Sequence, residues 1–365
     1  MKVLILGRYP RWDPKAWGGD IHSNRLAEHL AKKGCEVTFV NTGFTGVKDN
    51  IRFKKISYKV YRGTPFYPNP KDIIKIASDY DIIHAFSTRG YVFKWLKHNA
   101  KPLIQTQLVT RLKSLGISHP FGFLIRLKPY RFLAWYYERE ACKNADIVTT
   151  TSSAMKLQIG HEFNLTNKQI RLVPRGVNLD LFSLSPYPNE KIILTAGRLE
   201  KEKGIKFLIK SMKLVHTEFK EAKLWIAGDG RDKKELQKIA SGMSMIRFLG
   251  RVPHVDMSKL YSKSSLFALM SPFEPFGAVL LEAMASGRPV IASKSGGPLD
   301  IVNEECGILI RANDVSQVAD AIKKIFSDPE LAETMGLKGR ERVRSFFTWE
   351  KEANAYYKLY SELSL

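Results

Sequence analysis

The 365 residues contain only three cysteines, Cys35, Cys142 and Cys306. They are odd in number and widely spaced, which argues against a disulfide framework and for a reducing compartment. No two of them have metal-ligand spacing. No apolar run reaches the roughly 18 residues of a membrane span. The N-terminus, Met1 to Gly7, reads as a short strand and lacks the apolar length and cleavage site of a secretory signal. Repeats and low-complexity tracts are also absent. Acid is scarce relative to base: 58 Lys and Arg face 36 Asp and Glu, a net charge of +22. The imbalance is local, since residues 1–180 hold 30 basic against 13 acidic side chains and the remainder 28 against 23. Such asymmetry points to an anionic ligand or surface facing the N-terminal half.

Strand and helix signals alternate almost throughout. Strands are expected at Lys2 to Leu6, Cys35 to Val40, Asp81 to Ala85, Pro102 to Thr106 and Asp146 to Thr150. Helices are expected at Ile21 to Lys33, Lys71 to Ser78 and Phe123 to Lys143. After the Pro-rich stretch Pro186 to Glu190 the pattern restarts. Strands are then expected at Lys191 to Ala196, Lys223 to Ala227, Met245 to Leu249, Leu266 to Met270, Pro289 to Ala292 and Gly307 to Ile310. Two such series imply an α/β fold of two Rossmann-like domains with parallel sheets, binding ligands at the carboxyl ends of strands. Thr348 is a candidate cap for a last helix from Trp349.

The most informative segment runs from Ser271 to Ser293. A strand stops at a Pro-rich loop carrying Glu274. A helix opens at Phe276-Gly277, carries Glu282 and ends at Gly287 before the next strand. Five residues from Gly277 to Glu282 are about 7.5 Å of helix rise. The intervening helix N-terminus suits a phosphate. Two carboxylates flanking an anion site fit a nucleotide diphosphate sugar: Glu282 for ribose hydroxyls, backbone N–H groups for the diphosphate, Glu274 for the sugar.

These residues resemble the E-x7-E signature of retaining glycosyltransferases of family 4, which have the GT-B fold. Gly197 to Gly204 resembles the family's GR-x4-KG segment, Gly18-Gly19 its first-loop glycine pair, and Asp81 to Ala85 its DIIHA strand. The resemblance implies two Rossmann-like domains facing across a deep cleft, with the C-terminal helix crossing back to the N-terminal domain. The expected bounds are 1–173 for the acceptor-side domain, 174–190 for a linker, 191–346 for the donor domain and 347–365 for the returning helix. It implies that Glu274, Arg198 and Lys203 are catalytic, with Arg198 and Lys203 on the donor diphosphate. Gly18, Gly19, Gly197, Arg251, Val252, Phe276, Gly277, Ala278, Val279 and Glu282 are implied donor contacts, the base resting on main chain near Arg251-Val252. Attack is expected on the front face, the leaving phosphate helping to deprotonate the acceptor. Glu274 then orients the sugar and is not the nucleophile. The family's usual His after the strand Pro102 to Thr106 is replaced by Gln107, which could still donate a hydrogen bond but cannot titrate. Gln107 is a candidate acceptor or sugar contact; His84, on a different strand, is read first as structural, with such a contact the alternative.

No cofactor or metal is expected beyond the nucleotide-sugar donor. Asp229-Gly-Arg-Asp232 has the wrong spacing for an Asp-x-Asp motif. The segment Arg111 to Lys143 interleaves basic residues with Phe, Trp, Tyr and Leu, a composition suited to an anionic membrane surface. The expected enzyme therefore transfers a sugar to a glycan or lipid-linked acceptor, in the cytoplasm at the inner membrane face. A soluble acceptor (a sugar, sugar phosphate or glucan) is the alternative. A sugar-nucleotide epimerase of the same fold and a nucleic-acid binder suggested by net charge alone are further alternatives. The second finds no nucleic-acid module in the sequence, and no nucleic-acid partner is expected.

Overall fold

In the computed structural model, residues 1–16, 18–61, 64–97, 101–108, 129–311 and 313–364 are described. The chain divides into two units, Met1–Pro174 with Trp349–Leu365, and Arg175–Thr348.

The first unit holds an eight-stranded sheet in the order β10-β9-β8-β7-β1-β2-β4-β3 and a separate hairpin, β5-β6. Its strands are β1 (Lys2–Leu6), β2 (Glu36–Asn41), β3 (Gly46–Lys48), β4 (Ile51–Lys55), β5 (Tyr58–Tyr61), β6 (Thr64–Pro68), β7 (Ile82–Phe86), β8 (Leu103–Thr106), β9 (Ile147–Thr150) and β10 (Ile170–Leu172). All pairings in the large sheet are parallel except β3 with β4. β1 and β7 are buried almost end to end, as strands covered on both faces must be. The chain leaves β1 towards β2 and β4, then returns to β7 on the other side. The sheet's switch point therefore lies between the carboxyl ends of β1 and β7.

The helix Trp349–Leu363 belongs to this unit. Ala353, Tyr356 and Tyr360 are fully buried among Val3, Ile5 and Phe39. Polar bonds fix its rotation: His22 Nε2 lies 2.5 Å from Glu352 Oε1, and the Tyr356 hydroxyl 2.9 Å from the Thr106 and Thr149 hydroxyls.

The second unit holds a six-stranded sheet in the order β13-β12-β11-β14-β15-β16. These strands are β11 (Ile192–Ala196), β12 (Lys223–Ala227), β13 (Ile246–Gly250), β14 (Leu266–Leu269), β15 (Val290–Ser293) and β16 (Gly307–Ile310), and all pairs are parallel. Alternate residues feed two cores. Ile193, Leu224, Ile226, Leu266 and Ile291 face one, and Leu194, Phe267, Leu269, Val290 and Ala292 the other. Of residues 174–190, expected as a linker, all but Pro174 belong to this unit. Val177 and Phe182 enter its core, and the buried Arg288 donates to the Ser185 and Pro186 carbonyls.

The helix expected from Phe123 is described as Pro129–Asn144. Residues 109–128, most of the basic aromatic segment, lie outside the described residues. Among the described residues no helix is long and apolar enough to cross a membrane.

Candidate active site

The carboxyl end of β14 carries the chemistry. After Leu269 the chain turns through Met270 to Gly277, and the helix Ala278–Ala285 begins. Gly277 is its N-cap at φ +100°, a conformation strained for any L side chain, and as glycine it contributes no side-chain cap. The helix's positive end therefore opens directly behind Phe276-Gly277. Phe276 is buried, while Ala278 and Val279 in the first turn are half-buried.

The backbone of Glu274 is clamped by a loop the sequence reading passed over, Ser295-Gly296-Gly297 after β15. Glu274 and Gly296 form a parallel bridge, and the Gly297 N–H donates to the Glu274 carbonyl at 2.8 Å. Gly296 has φ +78°, and a Cβ there would sit 2.1 Å from the same carbonyl oxygen. The two glycines are required by close backbone approach. That pattern was visible in the sequence, but its partner lay 22 residues upstream.

Lys203 reaches Glu274 through a second glycine. It ends the turn Lys201–Lys203, followed by Gly204 at φ +64°. A Cβ on Gly204 would stand 2.0 Å from the Met270 carbonyl oxygen, so only glycine lets this turn lie on the end of β14. The Lys203 ammonium donates to Glu274 Oε2 at 2.8 Å, and the Ser271 hydroxyl to the same oxygen at 3.0 Å.

Arg198 does not join them. Its side chain is 53% exposed and bonds Glu200 and Glu202 of its own loop, each at 2.7 Å. Exposed pairs of this kind contribute at most about 1 kcal/mol, so an incoming anion can compete with them. Gly197 sits beneath it, its N–H donating to the Ala227 carbonyl at 3.0 Å. A Cβ on Gly228 would lie 1.9 Å from the Gly197 carbonyl oxygen. The Gly228 N–H donates to Gly250 at 2.7 Å, so β11, β12 and β13 end in touching backbones. Arg251, exposed, and Val252, half-buried, follow directly.

Glu282 is nearly buried, and both its oxygens are engaged. Tyr261 donates to Oε2 at 2.9 Å, and His254 Nε2 lies 3.0 Å from Oε1. Burial first, and the Glu282 charge second, push the Tyr261 hydroxyl well above its ordinary pKa, so it remains an O–H donor. The sequence reading missed Tyr261 and His254. The signal was the setting of Glu282 beside Leu280, Leu281 and Met284, because a carboxylate in apolar surroundings needs donors.

In the first unit, Gly18 and Gly19 lie in the first turn of the helix Gly18–Lys32, not in a loop before it. Both are exposed. Among the described residues a Cβ on Gly18 would meet nothing within 4 Å, and one on Gly19 only Leu108 Cδ1 at 3.8 Å.

His84 lies inside the first unit, as its structural reading expects. It is fully buried, with Nδ1 2.6 Å from the Tyr360 hydroxyl and Nε2 2.6 Å from Thr106 Oγ1. Burial, then the nearby His22, lower its pKa to about 3. It ties β7 to β8 and to the C-terminal helix. Gln107 is also fully buried, with its N–H on the Thr149 carbonyl at 2.9 Å and its Oε1 3.3 Å from Gln105 Nε2. Neither side chain offers surface to a ligand.

Two parallel α/β sheets, the second with a carboxylate, a lysine and a helix N-terminus gathered at its strand ends, define the two-Rossmann-domain GT-B class. Residues 18–181 match the family described as Glycosyltransferase Family 4, and residues 178–342 match Glycosyl transferases group 1. The chain is a family 4-like glycosyltransferase of the GT-B type. It is 26% identical to N-acetyl-alpha-D-glucosaminyl L-malate synthase of Bacillus anthracis, over 96% of this chain and 95% of the relative. A sucrose-phosphate synthase from Thermosynechococcus elongatus superposes with a TM-score of 0.80 at 25% identity, covering 99% of this chain and 98% of that one. Anabaena HepE in complex with UDP superposes at 0.78 and 19% identity, covering 99% and 100%.

Proposed function

We propose that the protein is a retaining, metal-independent glycosyltransferase that moves a sugar from a nucleotide diphosphate sugar to a glycan or lipid-linked acceptor at the cytoplasmic face of the membrane. The observation that carries the donor half is the Lys203–Glu274 pair at 2.8 Å, beside a helix N-terminus whose N-cap is Gly277. Lys203 has three N–H donors. One holds Glu274, which leaves the ammonium able to meet a diphosphate oxygen. Glu274 orients the sugar hydroxyls, and Glu282, fixed by Tyr261, takes the ribose. Arg198 leaves its loop acids for the diphosphate. The base rests on main chain at Arg251-Val252. Gly18 and Gly19, which lack a Cβ, admit close approach of a ligand.

In the reaction the sugar C1–phosphate oxygen bond breaks and a C1–acceptor oxygen bond forms on the same face. The acceptor proton passes to the departing diphosphate. Lys203, Arg198 and the helix N-terminus stabilise the charge that develops there, so the reading needs neither a metal nor a strong protein base. A UDP complex of the similar Anabaena HepE supports a nucleotide-sugar donor.

A soluble acceptor is the second reading. It is favoured by the names of the similar proteins, which carry L-malate and sucrose-phosphate. Flotation with anionic vesicles at low salt separates the readings: binding supports the membrane acceptor, and no binding favours the soluble one. A thermal-shift screen of UDP, GDP and ADP sugars tests the donor. Proton NMR of the first product then tests retention, and an inverted anomeric centre would overturn that part.

A further inference from the structure

Two arginines converge at the switch point of the first unit's sheet. Arg8 follows β1, Arg89 follows β7, and Asp20 lies in the first turn of the helix Gly18–Lys32 that leaves β1. Arg8 Nη2 lies 2.7 Å from Asp20 Oδ2, and Arg89 Nη2 3.2 Å from Asp20 Oδ1. One carboxylate thus engages both guanidinium groups, and Arg89 Nη1 also donates to the Phe86 carbonyl at 3.0 Å. Asp20 is almost wholly buried at 2%, while the Arg8 and Arg89 side chains keep 20% and 12% exposure. The trio carries one formal positive charge.

Three independent features surround it. In open α/β sheets, ligands bind outside the carboxyl ends of strands where the strand order reverses, and that point here is β1 against β7. The positive end of a 15-residue helix begins at the same place, two residues before Asp20. Ser87, between β7 and Arg89, is held at φ +55°, a left-handed conformation uncommon for a non-glycine residue. Its hydroxyl donates to the buried Glu138 at 3.0 Å. Strain of this kind persists where the surroundings over-determine it, and it clusters at ligand sites.

We infer that the switch point of the first unit binds an oxyanion, a phosphate or carboxylate group of the acceptor, with Arg8 and Arg89 as its ligands. Asp20 is the positioning residue that aligns the two planar forks for bidentate recognition. The assignment of this anion to the acceptor rests on the glycosyl-transfer reading, whereas the anion site itself does not.

The test uses the full chain, with sodium phosphate and sodium malonate as probes against sodium chloride at matched ionic strength. Wild type is expected to show a saturable rise in Tm with at least one of the two anions. Whichever binds more tightly distinguishes a phosphate from a carboxylate source. Arg8→Gln and Arg89→Gln should each weaken that binding at least tenfold. Arg8→Lys and Arg89→Lys keep a partner for Asp20 but lose the fork, so they serve if the Gln variants fail to fold, and they should weaken binding as well. Nucleoside diphosphate binding, measured on the same variants, reports the donor half separately. Anion binding without sugar transfer would leave this site standing and overturn the acceptor reading. No saturable anion effect in wild type, or equal affinity in all variants, would overturn the site even if transfer is found.

Discussion

The Lys203 ammonium meets Glu274 Oε2 at 2.8 Å across 71 residues of sequence. Two glycine contacts make this possible, Gly204 on the Met270 carbonyl and Gly296 on the Glu274 carbonyl. The pair is largely shielded, with side-chain exposures of 21% and 12%, so it is held more firmly than the exposed Arg198 pairs. Its proposed role divides the labour of the two carboxylates, Glu274 at the reacting sugar and Glu282 at the nucleotide.

That division predicts different kinetic signatures. Glu274→Ala should lower kcat by roughly a hundredfold with a smaller change in donor KM, because its contact strengthens only as the reaction proceeds. Glu282→Ala should chiefly raise donor KM. Steady-state kinetics with the donor found in the thermal-shift screen decides, and identical profiles for the two variants would refute the separation.

Tyr261→Phe removes one hydroxyl from a buried carboxylate and leaves the ring contacts with Phe182 and Phe267 in place. A hydrogen bond to a charged group contributes about 1.5–3 kcal/mol, so the variant should unfold at lower urea concentration. It should also bind nucleotide less tightly than wild type. Unchanged affinity would show that Tyr261 does not position Glu282 for binding.

Gly296→Ala tests the clamp. The new Cβ would meet the Glu274 carbonyl oxygen at 2.1 Å in a left-handed conformation, with no flexible side chain to yield. A loss of ~2 kcal/mol or more is expected, read as a Tm lowered by roughly 4–8 °C. Wild-type Tm and activity in this variant would contradict the close approach.

His84 gives the first unit a pH dependence of known sign. Its folded pKa is depressed to about 3 from 6.5, so the folded state favours the neutral ring. The unfolded chain takes up that proton first. The stability associated with the neutral ring is complete above about pH 6.5 and is lost as pH falls towards 3, by roughly 1.4 kcal/mol per unit. Urea midpoints at pH 7.5 and 5 should fall for wild type and fall less for His84→Gln. Equal slopes would remove His84 from the account.

Much of the second unit was legible because its signals are local. Glu274, Gly277 and Glu282 lie in one strand–loop–helix segment, and strands such as Lys223–Ala227 stand out as short apolar runs between turns. What escaped is long-range. Gly296 reads as an ordinary turn residue until Glu274 lies beneath it, and Tyr261 as a core aromatic until its hydroxyl finds Glu282. Arg8, Asp20 and Arg89 carry no motif, since strand order alone brings them together. β4 was missed because Arg52, Lys54 and Lys55 face solvent on a short strand, leaving only Ile51 and Phe53 to mark it. His84 sits on a strand read correctly, but its burial depends on Tyr356 and Tyr360 from the last helix.

The most direct test of the donor site is calorimetric titration of wild type and Lys203→Ala with UDP, GDP and ADP. At least one nucleoside diphosphate should bind wild type saturably, and Lys203→Ala should weaken that binding at least tenfold, about 1.4 kcal/mol. Failure of all three to bind wild type, or equal affinity in the variant, would contradict the donor site.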